Sequence, residues 1–404
     1  MRKIGRLLIS ALTLAAAGCT RAPPPAAPPP PDPVLEARRV ALATDALFAE
    51  SQASGAVVAV VHGDQARAMG FGRINPGDAQ PAGATTLVRL QSVSKLFAGE
   101  LLADLVSRGK VKLSDPLALY APTGWRAPAQ KDPVPPITLI NLATHTSGLP
   151  REGKVLAGQP AAVAIAARWA WLAQPQRLPP PGAGAVYSNV AFDLLGDALA
   201  KASNTSYGAA LTAVVTAPLG MADTTSAPSA EQCRRMMAGD PNRKPFPCVD
   251  QSGEAASGGL YSTASDMALW LKAQLAPGAE QGRRSISQAV YVRRTQLASA
   301  IGLDHAGPAD GIGLAWIEQD AGPGRPRLLE KTGGGDGFLT FVVIDPVHRA
   351  GVFVGFNNVS GHRLGAVAEA ADALAVLLGT EPDAIAIPGV APAASHAVSS
   401  PAAH

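Results

Sequence analysis

Residues 90–97 read LQSVSKLF, in which Lys95 follows Ser92 by three positions. From Val93 to Arg108, apolar residues recur at intervals of three and four, and Gly109 ends the pattern. This periodicity predicts a helix, with Ser92 at its N-terminus and Lys95 one turn further along the same face. A hydroxyl beside an amine at that place is either an activated nucleophile or a helix N-cap followed by a solvated lysine.

The spacing alone does not decide between these interpretations, because Ser107 and Lys110 repeat it at the other end of the same helix. Two further short motifs follow along the chain. The first is Tyr187-Ser188-Asn189, which comes after a turn rich in proline and glycine and before a predicted helix. The second is Lys331-Thr332-Gly333-Gly334, on a predicted strand. Tyr-x-Asn and Lys-Thr-Gly each occur once in the chain, whereas Ser-x-x-Lys occurs twice, so it is the order and spacing of the three motifs that is specific.

In this order, the three motifs resemble the Ser-x-x-Lys, Tyr-x-Asn and Lys-Thr-Gly triad of the serine β-lactamase and penicillin-binding-protein superfamily, in its class C form. The resemblance extends from about Val34 to Leu378 and includes LATHTSGLP (142–150) and SGGLYSTASDMALW (257–270). The run ITLINLATHTSGLPRE and the cysteine pair EQC…PC look closest to the AmpH-type D-alanyl-D-alanine carboxypeptidase/endopeptidases.

The resemblance implies that Ser92 is the nucleophile of an acyl-transfer reaction and that Lys95 is its base. A serine hydroxyl needs a base within hydrogen-bond reach at neutral pH. Burial with Lys331 nearby should lower the pKa of Lys95 and make it such a base. Tyr187 is implied to pass the proton to the leaving amine and later to activate water. No metal or cofactor is expected, because the base is a side chain and backbone donors polarise the carbonyl group.

The other motif residues are implied to bind substrate. Asn189 is expected to orient the motif lysine and the substrate amide, and Lys331 and Thr332 to hold the substrate carboxylate. The backbone N–H groups of Ser92 and Gly334 are expected to form the oxyanion hole. Each donor of such a hole contributes roughly 3 kcal/mol in other serine enzymes.

The implied activity is that of a serine DD-peptidase, a D-alanyl-D-alanine carboxypeptidase/endopeptidase that cleaves peptidoglycan stem peptides through an acyl-serine intermediate and binds penicillins. A class C-like β-lactamase has the same residues and differs in how quickly water reaches the acyl-enzyme. An esterase on the same fold is a third interpretation, although such esterases commonly replace the lysine retained here as Lys331. An inert cell-wall-binding lipoprotein is a fourth, and it predicts damage to at least one motif, whereas all three are intact.

Several other residues have a functional and a plainer interpretation. His145 in THTSG could pair with a serine, but its place at a predicted helix end favours a packed histidine. The glycine run 333–337 precedes a strand and does not join a strand to a helix, so phosphate binding is not predicted. Asn357 and Asn358 lie at the end of the last predicted strand. The sequence does not decide whether they line the part of the site that binds the substrate carboxylate.

Strand and helix patterns predict the fold class. Strand signals lie at 55–61, about 66–72, 87–90, 311–318, 327–332, 337–345 and 350–358. Helical patterns lie at 34–52, 93–108, 137–144, 161–173, 190–202, 207–216 and 363–378. Short turns join the late strands, which should therefore be antiparallel. We predict an α/β fold in which an antiparallel sheet is flanked by N- and C-terminal helices and an all-helical domain is added.

This pattern predicts one discontinuous catalytic domain over residues 34–386. Its α/β part should cover about 34–91 and 255–386. Its helical part should cover about 92–254. Residues 387–404 are rich in alanine, serine and proline and predict a disordered tail.

The first residues predict export. A basic start is followed by the apolar run 7–17, which is too short for a permanent transmembrane helix. The junction LAAAGC (14–19) resembles a bacterial lipobox, so we predict a lipoprotein signal peptide over residues 1–18 and lipidation of Cys19. Ordinary cleavage nearby, with Cys19 incidental, is the alternative. A stiff proline-rich linker over residues 19–33 then holds the domain off the membrane.

The cysteines fit a lipid-anchored periplasmic protein. The residue after Cys19 is Thr20. An aspartate at this position would favour the inner membrane, so the outer membrane is the expected destination. With Cys19 lipidated, Cys233 and Cys248 remain, and we predict a disulfide between them in the oxidising periplasm. Two reduced, buried thiols are the alternative. Without nearby histidines, the pair makes a poor zinc site.

Composition narrows the choice of partners. The chain has 404 residues, of which 47% are hydrophobic, and its formal net charge is +3. Residues 1–18 contain Arg2, Lys3 and Arg6 and no acid, so the mature chain is near neutral. Five Trp, five Tyr and no basic run give no support to nucleic-acid binding. The expected partners are peptidoglycan stem peptides, β-lactams and a membrane reached through the lipid anchor, and the expected state is a monomer.

Overall fold

Strands from both ends of the chain meet in the computed structural model, which describes residues 33–380 except 76–78, 129–133, 154–158, 176, 240–246, 279–280, 305–306 and 358–362. The strands are, in chain order, β1 (Gly55–His62), β2 (Gln65–Gly72), β3 (Val88–Arg89), β4 (Ala185–Val186), β5 (Tyr261–Ser262), β6 (Val292–Arg293), β7 (Ala300–Ile301), β8 (Gly311–Ile312), β9 (Ile317–Gln319), β10 (Leu328–Gly335), β11 (Phe338–Asp345) and β12 (Ala350–Asn357). The helices are α1 (Pro33–Ser51), α2 (Ser94–Ser107), α3 (Leu139–Ala143), α4 (Ala161–Leu172), α5 (Asn189–Ala202), α6 (Tyr207–Leu211), α7 (Ala217–Leu219), α8 (Ala230–Arg234), α9 (Ala264–Leu275), α10 (Gln281–Ser287) and α11 (Leu364–Thr380).

An eight-stranded antiparallel sheet has the order β2-β1-β12-β11-β10-β9-β8-β6. Alternate residues of β1 pack into two separate cores, and every residue from Gly55 to Val61 is buried. Such a strand is apolar throughout because both faces of the sheet are covered. On one face lie α1 and α11, with Leu47 and Leu374 in the core, and on the other lies α9 with Leu271. The predicted α/β fold with an antiparallel sheet is confirmed.

The helix that follows Ser92 is buried on all sides. Every residue of α2 from Ser94 to Leu105 is buried, so the helix is a central element and not an amphipathic surface helix. Its acidic residue Glu100 accepts a hydrogen bond from Trp270 Nε1 at 2.7 Å and pairs with Arg283 at 3.3 Å. At Gly99, a Cβ atom would lie 2.4 Å from the carbonyl oxygen of Leu314, so only glycine allows this close approach.

Two predicted elements differ from the structure. The strand predicted at 311–318 is divided into β8 and β9 by a tight turn, in which the Gly313 N–H donates to the Trp316 carbonyl at 2.9 Å. Ala315 in this turn has φ +71 and donates its N–H to the carbonyl of Ala143 at 3.0 Å. The helix predicted at 207–216 is also divided, because α6 is followed by a single π-helical turn over Thr212–Thr216.

The structure joins Cys233 of α8 to Cys248 by a disulfide, with 5.7 Å between their Cα atoms. The predicted signal peptide, Cys19, the linker before Pro33 and the predicted tail lie outside the described residues. Within the residues that the structure describes, no helix is both long enough and apolar enough to span a membrane.

Candidate active site

Ser92 lies in a short 3-10 turn, Gln91–Val93, that leads directly into α2. Val93 occupies the N-cap position of α2 and has helical backbone angles, so Ser92 does not cap the helix. Lys95, in the first turn of α2, is completely buried. The alternative of an N-cap followed by a solvated lysine therefore does not describe this pair.

The second Ser-x-x-Lys pair is placed differently. Ser107 and Lys110 are exposed at the C-terminal end of α2. The Ser107 hydroxyl donates to the carbonyl of Asp104 at 2.8 Å, a local bond of the last helical turn. This pair therefore lacks the burial that the first one has.

Lys95 joins three parts of the chain through its ammonium group. Nζ donates to Ser92 Oγ at 3.1 Å, to Asn189 Oδ1 at 2.7 Å and to the Ser257 carbonyl at 2.6 Å. When Lys95 loses one proton, the two shorter bonds use the two remaining hydrogens. The nitrogen lone pair is then left for the Ser92 hydroxyl, which is the arrangement that a general base requires.

The pKa of Lys95 is lowered from 10.5 to about 7, mainly because burial removes the hydration of the ammonium group. The carboxylates of Asp193 and Glu152 oppose this shift, and the Arg151 guanidinium adds to it. Arg151 is thus a like charge that the sequence did not indicate, and the repulsion between Lys95 and Lys331 that the sequence did indicate lowers the pKa of Lys331. At neutral pH a large fraction of Lys95 is unprotonated.

Tyr187 is buried among three cations. The distances from its ring centroid to Lys95 Nζ, Lys331 Nζ and Arg151 Cζ are 4.9, 4.7 and 4.8 Å. Its backbone N–H donates to the carbonyl of Ile301 at 2.9 Å, next to the parallel pairing of β4 with β7. This pairing fixes the backbone of Tyr187 near the two motif lysines.

His145 packs against the ring of Tyr187. The two rings stack with their centroids 4.4 Å apart, and His145 Nδ1 accepts the backbone N–H of Ser188 at 3.0 Å. Burial, together with the nearby lysines Lys331 and Lys95, holds the pKa of His145 well below its usual range. The imidazole is therefore neutral and packed, as the sequence indicated, and its partners are the Tyr187 ring and the Ser188 backbone N–H rather than a serine hydroxyl.

Asn189 is the first residue of α5, whose N-cap is Ser188. The Ser188 hydroxyl accepts the N–H of Ala191 at 3.0 Å, which fixes the start of the helix. The Asn189 side chain accepts from Lys95 and donates through Nδ2 to Glu152 Oε1 at 2.5 Å. The amide is therefore oriented from both sides.

The Lys-Thr-Gly motif lies on β10, which continues through the glycine run to Gly335. Lys331 is buried, and burial lowers its pKa; its hydrogen-bond partner Tyr187 opposes this shift and Lys95 adds to it. Thr332 is half-buried and Gly334 is exposed. The structure thus brings the motif residues together, with Lys331 Nζ and Lys95 Nζ 4.7 and 4.9 Å from the Tyr187 ring centroid.

Gly333 is the glycine of this motif that packing requires. A Cβ atom there would lie 2.3 Å from Thr340 Oγ1, 2.6 Å from the Leu90 carbonyl and 3.0 Å from the Ser92 amide nitrogen. Strand β10 therefore runs directly against the turn that carries Ser92.

Three residues of the site were not predicted from the sequence as site residues: Arg151, Glu152 and Ser257. They contact Tyr187, Asn189 and Lys95, respectively. Their position within the runs LATHTSGLPRE and SGGLYS is the one signal that could have indicated them. The Asn357 Oδ1 accepts from Ser54 Oγ and from the Gly55 N–H, so it joins β12 to the start of β1. Asn358 lies outside the described residues.

A buried amine beside a serine hydroxyl, with a second buried lysine on the neighbouring strand, defines a serine hydrolase that works by acyl transfer. The beta-lactamase family profile matches residues 40–377, and the chain belongs to that family. Among the described residues, no group of His, Cys, Asp and Glu side chains is arranged to hold a metal ion.

The chain is also similar to individual members of this family. It is 40% identical over 321 residues to the D-alanyl-D-alanine-carboxypeptidase/endopeptidase AmpH of Escherichia coli strain K12, which covers 77% of this chain and 81% of the relative. A crystal structure of a beta-lactamase/D-alanine carboxypeptidase from Yersinia pestis, complexed with citrate, is 36% identical, with a TM-score of 0.78 over 86% of this chain and 99% of that one. A class C beta-lactamase from Rhodobacter sphaeroides is 25% identical, with a TM-score of 0.65 over 82% of this chain and 97% of that one.

Proposed function

We propose that the protein is a serine DD-peptidase that acts on peptidoglycan stem peptides through an acyl-Ser92 intermediate. The observation that carries the proposal is the buried Lys331 on β10, with its Nζ 4.7 Å from the Tyr187 ring centroid and Tyr187 next to the base Lys95. A cation at this place suits a substrate that ends in a free carboxylate beside the scissile bond. The 40% identity to a D-alanyl-D-alanine-carboxypeptidase/endopeptidase supports the same substrate class.

The residues of the site suffice for both halves of the reaction. Neutral Lys95 takes the Ser92 proton as Oγ bonds to the carbonyl carbon of the penultimate D-alanine, and the N–H groups of Ser92 and Gly334 bind the resulting oxyanion. Collapse breaks the peptide bond, and the leaving amine of the terminal D-alanine receives the proton through Tyr187. Water then attacks the acyl carbonyl carbon and gives its proton through Tyr187 to Lys95. Collapse breaks the ester bond, the Ser92 Oγ takes that proton from Lys95, and the shortened peptide is released.

Asn189, Lys331 and Thr332 bind the substrate in this mechanism. The Asn189 amide, oriented by Lys95 and Glu152, faces the acyl part of the peptide. Lys331 and Thr332 hold the carboxylate of the terminal D-alanine.

The test is incubation of the purified protein with a D-Ala-D-Ala muropeptide and with a fluorescent penicillin. We expect release of D-alanine and a penicillin label on Ser92. Ser92→Ala should abolish both, whereas the matched control Ser107→Ala, with the same local spacing, should keep both. A label on Ser107 would refute the assignment of the motif.

A class C-like β-lactamase is the second candidate, supported by the match to the Rhodobacter sphaeroides enzyme. Fast turnover of penicillin with untouched muropeptides would establish it in place of the peptidase. An esterase is the third candidate, and hydrolysis of neutral esters alone would indicate it.

Lys331→Ala separates carboxylate-bearing substrates from neutral ones. Loss of a charge-assisted bond of about 2 kcal/mol should lower kcat/KM for the free-acid peptide roughly thirtyfold. The methyl ester of the same peptide is the control and should lose much less. Equal losses for both would show that Lys331 does not bind the carboxylate.

We also propose that the protein is a periplasmic monomer held by a lipid on Cys19 at the outer membrane. The lipobox-like junction, Thr20 after the cysteine and the proline-rich linker support this proposal.

A further inference from the structure

Gln91, the residue before the nucleophile, has an unusual backbone. Its φ is +50, in the left-handed region that residues other than glycine seldom adopt, and the residue is buried, with 7% exposed. A glycine would occupy this backbone without strain. A glutamine that keeps it must contribute something through its side chain.

The side chain of Gln91 reaches the end of strand β10. Its Nε2 donates to the carbonyl of Gly335 at 3.0 Å and to Asp336 Oδ2 at 3.3 Å. Asp336 Oδ2 also accepts from Arg89 on β3 at 2.5 Å. Gly335 directly follows Gly334, the second proposed oxyanion donor.

We propose that Gln91 is a positioning residue that sets the spacing between the two oxyanion donors, the N–H groups of Ser92 and Gly334. The two donors are far apart in sequence and belong to different elements. Gln91 is bonded covalently to Ser92 and through its amide to Gly335, so it ties both donors to one side chain. This proposal rests on the assignment of Ser92 as the acylated residue.

Other contacts hold the turn that carries Ser92 against the sheet when Gln91 is changed. Thr340 Oγ1 on β11 donates to the Leu90 carbonyl at 2.7 Å. Arg89 and Asp336 also remain paired. Substitution of Gln91 should therefore disturb the alignment of the donors while the protein stays folded.

The experiment compares Gln91→Gly with Gln52→Gly. Gln52 is an exposed glutamine with φ +53 at the end of α1, so it is a matched control for the backbone change. We expect Gln91→Gly to lower kcat for an ester or penicillin roughly tenfold or more with little change in KM, because misplaced donors fail mainly in the transition state. Its melting temperature should shift no more than that of Gln52→Gly, whose activity should equal wild type.

Gln91→Glu completes the comparison, because it keeps the size of the side chain and replaces the donor by a carboxylate that faces Asp336 and the Gly335 carbonyl. We expect it to lower kcat at least as much as Gln91→Gly. Wild-type kcat in either variant would overturn the positioning role and leave Gln91 as a structural residue only.

The outcome for Gln91 can be separated from that for the peptidase. If the wild type acylates Ser92 with an ester or penicillin but releases no D-alanine, the proposed function is wrong and the Gln91 comparison still stands. If the wild type acylates with none of these reagents, both proposals are wrong.

Discussion

Lys95 donates to a hydroxyl, an amide and a backbone carbonyl, and none of these acceptors carries a charge. Its ammonium form therefore lacks a carboxylate among its hydrogen-bond partners, and burial dominates its pKa. Burial of the Lys95 ammonium group lowers the stability of the fold, and the same burial makes Lys95 a base at neutral pH.

The first prediction concerns the pH dependence of acylation. With a pKa of about 7, Lys95 is protonated and inactive as a base at pH 5 and largely unprotonated at pH 8. We expect kcat/KM for acylation to rise through pH 7 and to level off above pH 8. A profile that is flat from pH 5 to 8 would contradict Lys95 as the base, and a rise near pH 10 would show that its pKa is not lowered.

The second prediction concerns stability. The folded-state pKa of Lys95 lies below its unfolded value of 10.5, so between about pH 7 and 10.5 the unfolded chain binds more protons. The free energy of unfolding should therefore gain, from this group, up to about 1.4 kcal/mol per pH unit as the pH rises through that range. Denaturant titrations should show that Lys95→Met removes this slope and that Lys110→Met, at an exposed site, retains it. An unchanged slope in Lys95→Met would contradict the prediction.

At the scale of elements, the contact between β10 and the Ser92 turn gives the third prediction. The methyl group of Gly333→Ala would collide with Thr340 Oγ1 and the Leu90 carbonyl and press on the Ser92 amide. We expect the acylation rate to fall roughly a hundredfold, since a shift of about 1 Å in a reacting group has an effect of that size. Gly322→Ala, where a Cβ meets no atom within 4 Å, is the control and should acylate normally.

The disulfide between α8 and Cys248 gives the fourth prediction. It closes a loop of 15 residues, and its loss should lower the free energy of unfolding by about 3 kcal/mol. Cys233→Ala, Cys248→Ala and the double variant should all lose the same amount in denaturant titrations, because each removes the same bond. Additive losses, or thiols that react with an alkylating agent before reduction, would contradict the disulfide.

At this scale the sequence predicted the long strands and the helices α1, α2, α4, α5 and α11, because unbroken apolar runs and apolar residues at intervals of three and four reflect burial directly. It did not predict α9, although that helix packs against the sheet. It failed at 311–318, where GIGLAWIE has no asparagine, aspartate or proline to mark the turn that Ala315 makes. The motif residues were predicted from their order, whereas Arg151, Glu152 and Ser257 reach the site only through tertiary packing. The contacts of Gln91 were invisible for the same reason, since Gly335 and Asp336 lie more than two hundred positions away.

At the scale of the whole molecule, the fifth prediction concerns the anchor. The wild-type protein should partition into the detergent phase, and Cys19→Ala should abolish this, because the lipid has no other attachment point in the proposal. Ser92→Ala, which changes the site and not the leader, is the control and should partition like the wild type. A Cys19→Ala variant that still enters the detergent phase would disprove the anchor.

The position of β12 in the sheet has a consequence for how the chain folds. β1 ends at His62, but the strand on its inner side, β12, begins at Ala350, and their register pairs Ala56 with Phe356. While the ribosome makes the intervening residues, β1 and β2 can form only a hairpin, and the closure of so long a loop is slow. We therefore expect the sheet to close only after β12 has been synthesised. A chain that stops before Ala350 would retain the β1–β2 hairpin with no strand to connect it to β11, and it would present an open edge to other unfinished chains.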